Sequence, residues 1–243
     1  MLSEIYLLGI TIQTYWLTML LGFVAMLWVT VHRKKIYRFS NLGAVAFTVL
    51  VMLFGLTGCK LLYIAENFST VLKNGVTAGG FSFFGAVFLI PVMMSLLRKL
   101  FSLNWRQCID ACTPCVIVMI AVMRLGCLLN GCCGGWKARL GKISFRWPTQ
   151  AFEGIGDVAI LIWILNIEKS GDKPGVLYPC FLLSYGVLRF FVEFFRDTAK
   201  DWLYMSHGQW FSIVAILIAV TVLKRKKFTD GGTESNDKKR LEK

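Results

Sequence analysis

Met123-Arg124-Leu125-Gly126-Cys127-Leu128-Leu129-Asn130-Gly131-Cys132-Cys133-Gly134-Gly135 is the stretch on which the reading of the fold turns. It continues an apolar run, residues 116–122, so a guanidinium and a side-chain amide stand where hydrocarbon is expected. An ionised side chain at the centre of a membrane-spanning helix costs about 2.5–3.5 kcal/mol on insertion scales, so it normally faces a partner or a wet cavity. Arg124 is therefore the first candidate site residue. A structural reading stands beside it, in which Arg124 only pairs with Glu153 or Glu193 to hold two helices together.

Outward from this stretch, the chain of 243 residues is 56% hydrophobic, with a mean hydropathy of +0.61, too apolar for an ordinary soluble domain. Apolar segments near the length that crosses a bilayer as helix occur at 15–31, 42–64, 81–97, 111–129, 151–167, 176–195 and 210–223. The expected fold is an all-α integral membrane protein with about seven transmembrane helices around a cavity facing the outer leaflet. This domain covers 1–228, and 229–243 is expected to be a disordered cytoplasmic tail, because it lacks the apolar content to fold. No cleavable signal is apparent in residues 1–13.

The net charge of +13 invites a nucleic-acid partner, but the basic residues gather at segment ends. Arg33, Lys34, Lys35 and Arg38 follow the first segment, Arg98, Lys99 and Arg106 the third, Lys169 and Lys173 the fifth, and Lys224–Lys227 the seventh. That is the positive-inside pattern, and it predicts a multi-pass membrane protein with its N-terminus outside, its C-terminus cytoplasmic and no nucleic-acid partner. One loop on the outer side breaks the rule, with Lys137, Arg139, Lys142 and Arg146, a composition that attracts anionic lipid headgroups.

Other segments carry polar groups at telling positions. Tyr15 and Trp16 open the first helix, where an aromatic ring anchors at the interface or a phenol meets a headgroup. Gly55 and Gly58 predict a close helix approach, and Lys60 is expected to snorkel. Gly79-Gly80-Phe81-Ser82-Phe83-Phe84-Gly85 permits irregular backbone, which at membrane depth is tolerated only beside a cavity or inside protein. Cys108, Cys112 and Cys115 share one helix face and read as packing rather than as a metal site. The neighbouring Cys132 and Cys133 lack zinc or redox spacing and read as structural, the alternative being a reactive thiol beside basic residues. Gln150, Glu153 and Asp157 fall on one helical stripe. Arg189 and Glu193 are one turn apart, a local salt bridge or a shared anion site, with Arg196 following at the interface.

Five of these stretches together resemble the prolipoprotein diacylglyceryl transferases of bacteria. The opening stretch is similar to a family signature Gly-Arg-x-Gly-Asn-Phe-x-Asn-Gly-Glu, retaining Arg124, Gly126, Asn130 and Gly131, with Gly135 beyond. Trp147-Pro148-Thr149-Gln150-Ala151-Phe152-Glu153 resembles His-Pro-x-Gln-Leu-Tyr-Glu. Tyr185 to Arg196 resembles Tyr-x-x-x-Arg-Phe-x-x-Glu-Phe-x-Arg, Ser206-His207-Gly208-Gln209 resembles Ser-Met-Gly-Gln, and residues 79–85 match Gly-Gly-x-Ser-Phe-His-Gly.

The resemblance implies transfer of the diacylglyceryl group of phosphatidylglycerol to the lipobox cysteine of a prolipoprotein signal peptide, with glycerol phosphate released and no cofactor or metal ion. It implies Arg124, Arg189 and Glu193 as catalytic groups, and Tyr15, Asn130, Gly135, Gln150, Glu153, Tyr185, Arg196 and Gln209 as substrate-binding ones. The chain departs from the pattern at Phe84 and Trp147, each in place of a histidine, at Cys127 in place of asparagine and at Cys132 in place of glutamate. Without the histidine at position 84, His207 is a possible base, or the substrate thiol ionises beside the arginines unaided. A catalytically silent paralogue that binds phosphatidylglycerol or signal peptides is the alternative.

Overall fold

The structure, a computed structural model, describes residues 4–7, 10–75, 80–140, 143–171, 174–198 and 204–241, with backbone alone for 4–7, 10–13, 74, 140, 143 and 226–241. Gly79, Lys142 and Lys173 lie outside the described residues, and the expected tail from 229 onward falls where side chains are not described.

The seven apolar segments are seven helices. In chain order, with one short helix between the second and third, they are α1 (Thr14–Arg33), α2 (Asn41–Glu66), α3 (Phe68–Asn74, the short one), α4 (Phe83–Leu97), α5 (Trp105–Asn130), α6 (Thr149–Lys169), α7 (Leu177–Val192) and α8 (His207–Leu241). Among the described residues, five helices are long and apolar enough to cross a membrane: α1, α2, α5, α6 and the His207–Arg225 part of α8. The fold is that of an all-α membrane protein. At a rise of 1.5 Å per residue, the 15 residues of α4 and 16 of α7 reach only about 22–24 Å, less than a hydrocarbon core of about 30 Å. A 3-10 turn, Glu193–Phe195, extends α7.

Among the described residues two antiparallel hairpins accompany the helices, and hydropathy does not anticipate them. β1 (Glu4–Leu7) pairs with β2 (Ile10–Gln13) ahead of α1, and β3 (Lys137–Leu140) pairs with β4 (Ile143–Arg146) between α5 and α6. Both sit at one end of the bundle, where α5 and α7 finish and α1, α4, α6 and α8 begin.

Helices meet where side chains shrink. A Cβ placed on Gly85 of α4 would lie 2.0 Å from the Gly58 carbonyl oxygen of α2, so only glycine lets these two backbones cross. Gly55, expected to share this role, faces Ala86 at an ordinary 4.0 Å. At Gly126 of α5 a Cβ would meet Thr18 Oγ1 of α1 at 2.3 Å.

Two prolines inside helices each strip a carbonyl of its intrahelical donor, which in lipid must be replaced. Pro91 orphans Val87, and the Tyr178 hydroxyl of α7 donates to the Val87 carbonyl. Pro114 orphans Asp110, and Arg33 Nη2 donates to its carbonyl at 3.2 Å, while Arg33 Nη1 donates to Ala111 O at 3.0 Å. Arg33 is thus a buried bracket between α1 and α5 and not an interfacial loop charge as its position suggested; it also pairs with Glu168 of α6. Cys108, Cys112 and Cys115 are buried in the core, with Cys115 Sγ 3.1 Å from Thr30 Oγ1.

Candidate active site

At the hairpin end, α5, α6, α7 and the 3-10 turn bring three arginines against three carboxylates. Glu153, one turn into α6 and 2% exposed, is the hub. Its Oε2 lies 2.7 Å from Arg124 Nη1, its Oε1 accepts from Arg189 Nη1, and Arg196 Nη1 lies 3.8 Å from the same Oε1. Asp157, one turn deeper on the same stripe and fully buried, has Oδ2 3.8 Å from Arg124 Nε. Arg189 Nη2 lies 2.7 Å from Glu193 Oε2, the one-turn pair expected from the sequence. Both structural readings of Arg124 and Arg189 therefore hold in part: the arginines do pair with carboxylates.

The pairing is incomplete, however. Among the described residues, Arg124 Nε, Arg196 Nε, Trp147 Nε1, Glu193 Oε2 and both Asp157 oxygens are buried without a hydrogen-bond partner. Buried polar atoms in folded proteins are nearly always satisfied, so six orphans in one site need a reason. Arg196, expected at the interface, instead turns inward; its backbone forms an isolated bridge with Gly135.

The surrounding residues hold this cluster in place. Gly135 N donates to Trp147 O at 2.9 Å, and a Cβ on Gly135 would fall 2.3 Å from Phe195 O, so glycine is required for the α5–α6 connection to lie against the 3-10 turn. Gln150 Nε2 donates to Cys132 O, and Thr149 Oγ1 donates to Cys133 O at 2.9 Å. Asn130 ends α5 immediately before Gly131, which closes the helix in the left-handed conformation with φ 65°. Tyr185 is buried, and its hydroxyl interacts electrostatically with Arg124, Arg189, Asp157 and Glu153. Its ring packs edge-on against Phe83 and Phe84, with centroids 5.2 and 5.9 Å apart. Phe84, itself buried, also meets Phe88 and Phe211, an apolar wall where the resemblance expects a histidine.

Tyr15, at the start of α1, has the Cys127, Cys59, Cys132 and Cys133 thiols as its electrostatic neighbours. Lys60 lies over the Phe81 and Tyr63 rings, 5.2 Å from each centroid, and donates to Gly80 O at 3.4 Å. His207 is exposed at the first position of α8.

Gln209 has a second role that the sequence itself signals. Ser206-x-x-Gln209 is a capping box at the start of α8: Ser206 N donates to Gln209 Oε1 at 3.0 Å, and Gln209 N donates to Ser206 Oγ at 3.3 Å. Ser206 Oγ in turn donates to Glu193 Oε1 at 2.9 Å, as Thr198 Oγ1 does at 3.0 Å. Ser206, Thr198 and Asp157 thus belong to the site beyond the residues that the resemblance implies. The cap pattern is the available signal for Ser206, and the stripe with Glu153 is the signal for Asp157.

Residues 4–225 match the family model described as prolipoprotein diacylglyceryl transferase. The chain belongs to the prolipoprotein diacylglyceryl transferase family. It is 25% identical over 240 residues to the phosphatidylglycerol–prolipoprotein diacylglyceryl transferase of Clostridium tetani, covering 91% of this chain and 96% of that one. It is likewise 25% identical over 254 residues to the phosphatidylglycerol–prolipoprotein diacylglyceryl transferase 2 of Clostridium perfringens, covering 98% of each. A Dehalococcoides mccartyi relative of the same name is 24% identical over 243 residues, covering 91% of this chain and 94% of that one. Family membership at such low identity leaves room for the departures at Phe84, Trp147, Cys127 and Cys132.

Proposed function

We propose that this transferase moves the diacylglyceryl group of phosphatidylglycerol onto the thiol of a lipobox cysteine in a prolipoprotein signal peptide. The hairpin end would face the outer leaflet of the plasma membrane, with the C-terminus in the cytoplasm, as the flanking charges indicate. The names of the relatives support the two substrates. The observation that carries the reading in this chain is the set of buried orphan donors in the arginine cluster.

The chemistry uses those donors directly. The substrate thiolate attacks the glyceryl carbon that bears the phosphate; a carbon–sulfur bond forms, the carbon–oxygen bond breaks, and glycerol phosphate leaves with its oxygen's electron pair. The phosphate group gains one negative charge as it departs. Guanidinium N–H groups already fixed in a buried site stabilise such growing charge without reorganising at the moment of reaction. Arg124 and Arg189 take this role, with Glu153, Asp157 and Glu193 holding the guanidinium planes in place. Arg196 Nε and Trp147 Nε1 add two further donors, the second at the position of a family histidine. Tyr185, Gln150 and Asn130 line the approach for the headgroup glycerol, with Tyr15, Gly135 and Gln209 around it.

Phe84 cannot accept a proton, so the thiol proton passes to water or to the exposed His207. The guanidinium donors left without partners, Arg124 Nε and Arg196 Nε, favour the thiolate. The test is complementation of a bacterium depleted of its own transferase, following the mass of a reporter lipoprotein. The parent chain is expected to add one diacylglyceryl group and the Arg124→Ala chain none. A well-inserted parent that adds none would make this chain a silent binder of phosphatidylglycerol or signal peptides.

A further inference from the structure

Just beside the arginine cluster, three thiols converge. The sulfur atoms of Cys127, Cys132 and Cys133 all lie within 4.8 Å of one another. No family motif places a sulfur at Cys127 or Cys132, where the resemblance expects asparagine and glutamate, and the spacing of five and one residues has no zinc signature. Backbone geometry makes the cluster: Cys127 lies in the last turn of α5, and left-handed residues at Gly131 (φ 65°) and Cys133 (φ 59°) fold the chain back over that turn. Cys132 Sγ points at the Cys127 carbonyl, 3.7 Å away.

We infer that Cys127, Cys132 and Cys133 form a binding site for one soft divalent metal ion, of which Zn2+ is the natural occupant class, with a fourth position left for water. Zinc–sulfur bonds of about 2.3 Å in tetrahedral geometry put ligand sulfurs roughly 3.8 Å apart, so the three need to close by at most about 1 Å, within reach of side-chain rotation. An all-sulfur donor set selects zinc, cadmium or cuprous copper over calcium or magnesium, which require oxygen ligands.

Three features of the surroundings fit an ion. Cys132 and Cys133 are exposed, which gives an entry path. The Gln150 and Thr149 hydrogen bonds to the Cys132 and Cys133 carbonyls orient the ligand-bearing backbone from the second helix of the site, α6. Three thiolates and a divalent ion carry a net charge of −1, which Arg124 and Arg196 nearby favour.

The site stands independently of the transferase reading, because its test reads metal and not activity. The full chain, purified in detergent and fully reduced, is titrated with Cd2+ as the probe, followed by thiolate-to-cadmium absorption and by elemental analysis. One ion per chain is expected, with the band lost in Cys127→Ser, Cys132→Ser and Cys133→Ser and retained in Cys180→Ala. Cys133→Ser, at an exposed turn, is the variant least able to perturb folding. The inference is overturned if the triple serine variant binds as much cadmium as the parent. It is equally overturned if the fully reduced parent binds none.

Discussion

The bundle buries an arginine–carboxylate group at each end, and the two differ in completeness. At the end opposite the hairpins, Arg33 Nε donates to Glu168 Oε2 at 2.7 Å, and Nη2 pairs with Glu168 Oε1. The same guanidinium donates to the Ala111, Asp110 and Tyr37 oxygens, and the Tyr37 hydroxyl donates to Glu168 Oε1 at 2.6 Å. Every guanidinium nitrogen of Arg33 has a partner. At the hairpin end, three arginines face three carboxylates and still leave Arg124 Nε, Arg196 Nε and both Asp157 oxygens without hydrogen bonds. A closed network locks helices; an open one has capacity for a ligand. The same residue types serve both ends, so the count of hydrogen bonds and not the chemistry of the side chains tells lock from site.

The largest effect that sharpens this contrast is on stability at the closed end. Arg33→Ala strands Glu168 and the carbonyl freed by Pro114, and removal of one partner of a buried pair costs about 3–5 kcal/mol. Thermal unfolding of the protein in detergent should show it as a large fall in Tm. Much smaller is the expected effect of Arg146→Ala, which removes an exposed pair, Arg146 Nη2 to Asp197 Oδ2 at 3.2 Å with side chains 45% and 61% exposed. Such a pair contributes about 1 kcal/mol or less, so Tm should stay near the parent's. A large loss there would mean that the hairpin end is held by surface charge and would blur the distinction.

Much of this contrast is legible in the amino-acid sequence. The seven segments, the stripe of Gln150, Glu153 and Asp157, and the Arg189–Glu193 pair follow from hydropathy and helical period, which are local properties. What is not legible depends on partners distant in sequence. Arg33 reads as one of four basic residues after a helix; Glu168, 135 residues away, and the carbonyl freed at Asp110, 77 residues away, turn it inward. Glu168 sits beside Lys169 and reads as an ordinary helix-end charge for the same reason. The hairpin of Lys137–Leu140 with Ile143–Arg146 is short and charged, too weak a period-two pattern to stand out from a loop. The thiol cluster needs two left-handed residues, one of them a cysteine, and residue spacing carries no trace of a non-glycine φ.

The most direct test compares Arg124→Lys with Arg33→Lys in the same preparation, measuring Tm and single-turnover transfer of a diacylglyceryl group to a lipobox peptide per folded molecule. Lysine keeps the charge in both and removes the planar fork. Arg124→Lys is expected to keep its Tm near the parent's while transfer falls by about 10²-fold or more, the scale of one lost transition-state donor. Arg33→Lys should show the reverse, a lower Tm with transfer per folded molecule unchanged. If Arg124→Lys transfers normally and only unfolds more easily, the open cluster is a second lock and not a site for the departing phosphate.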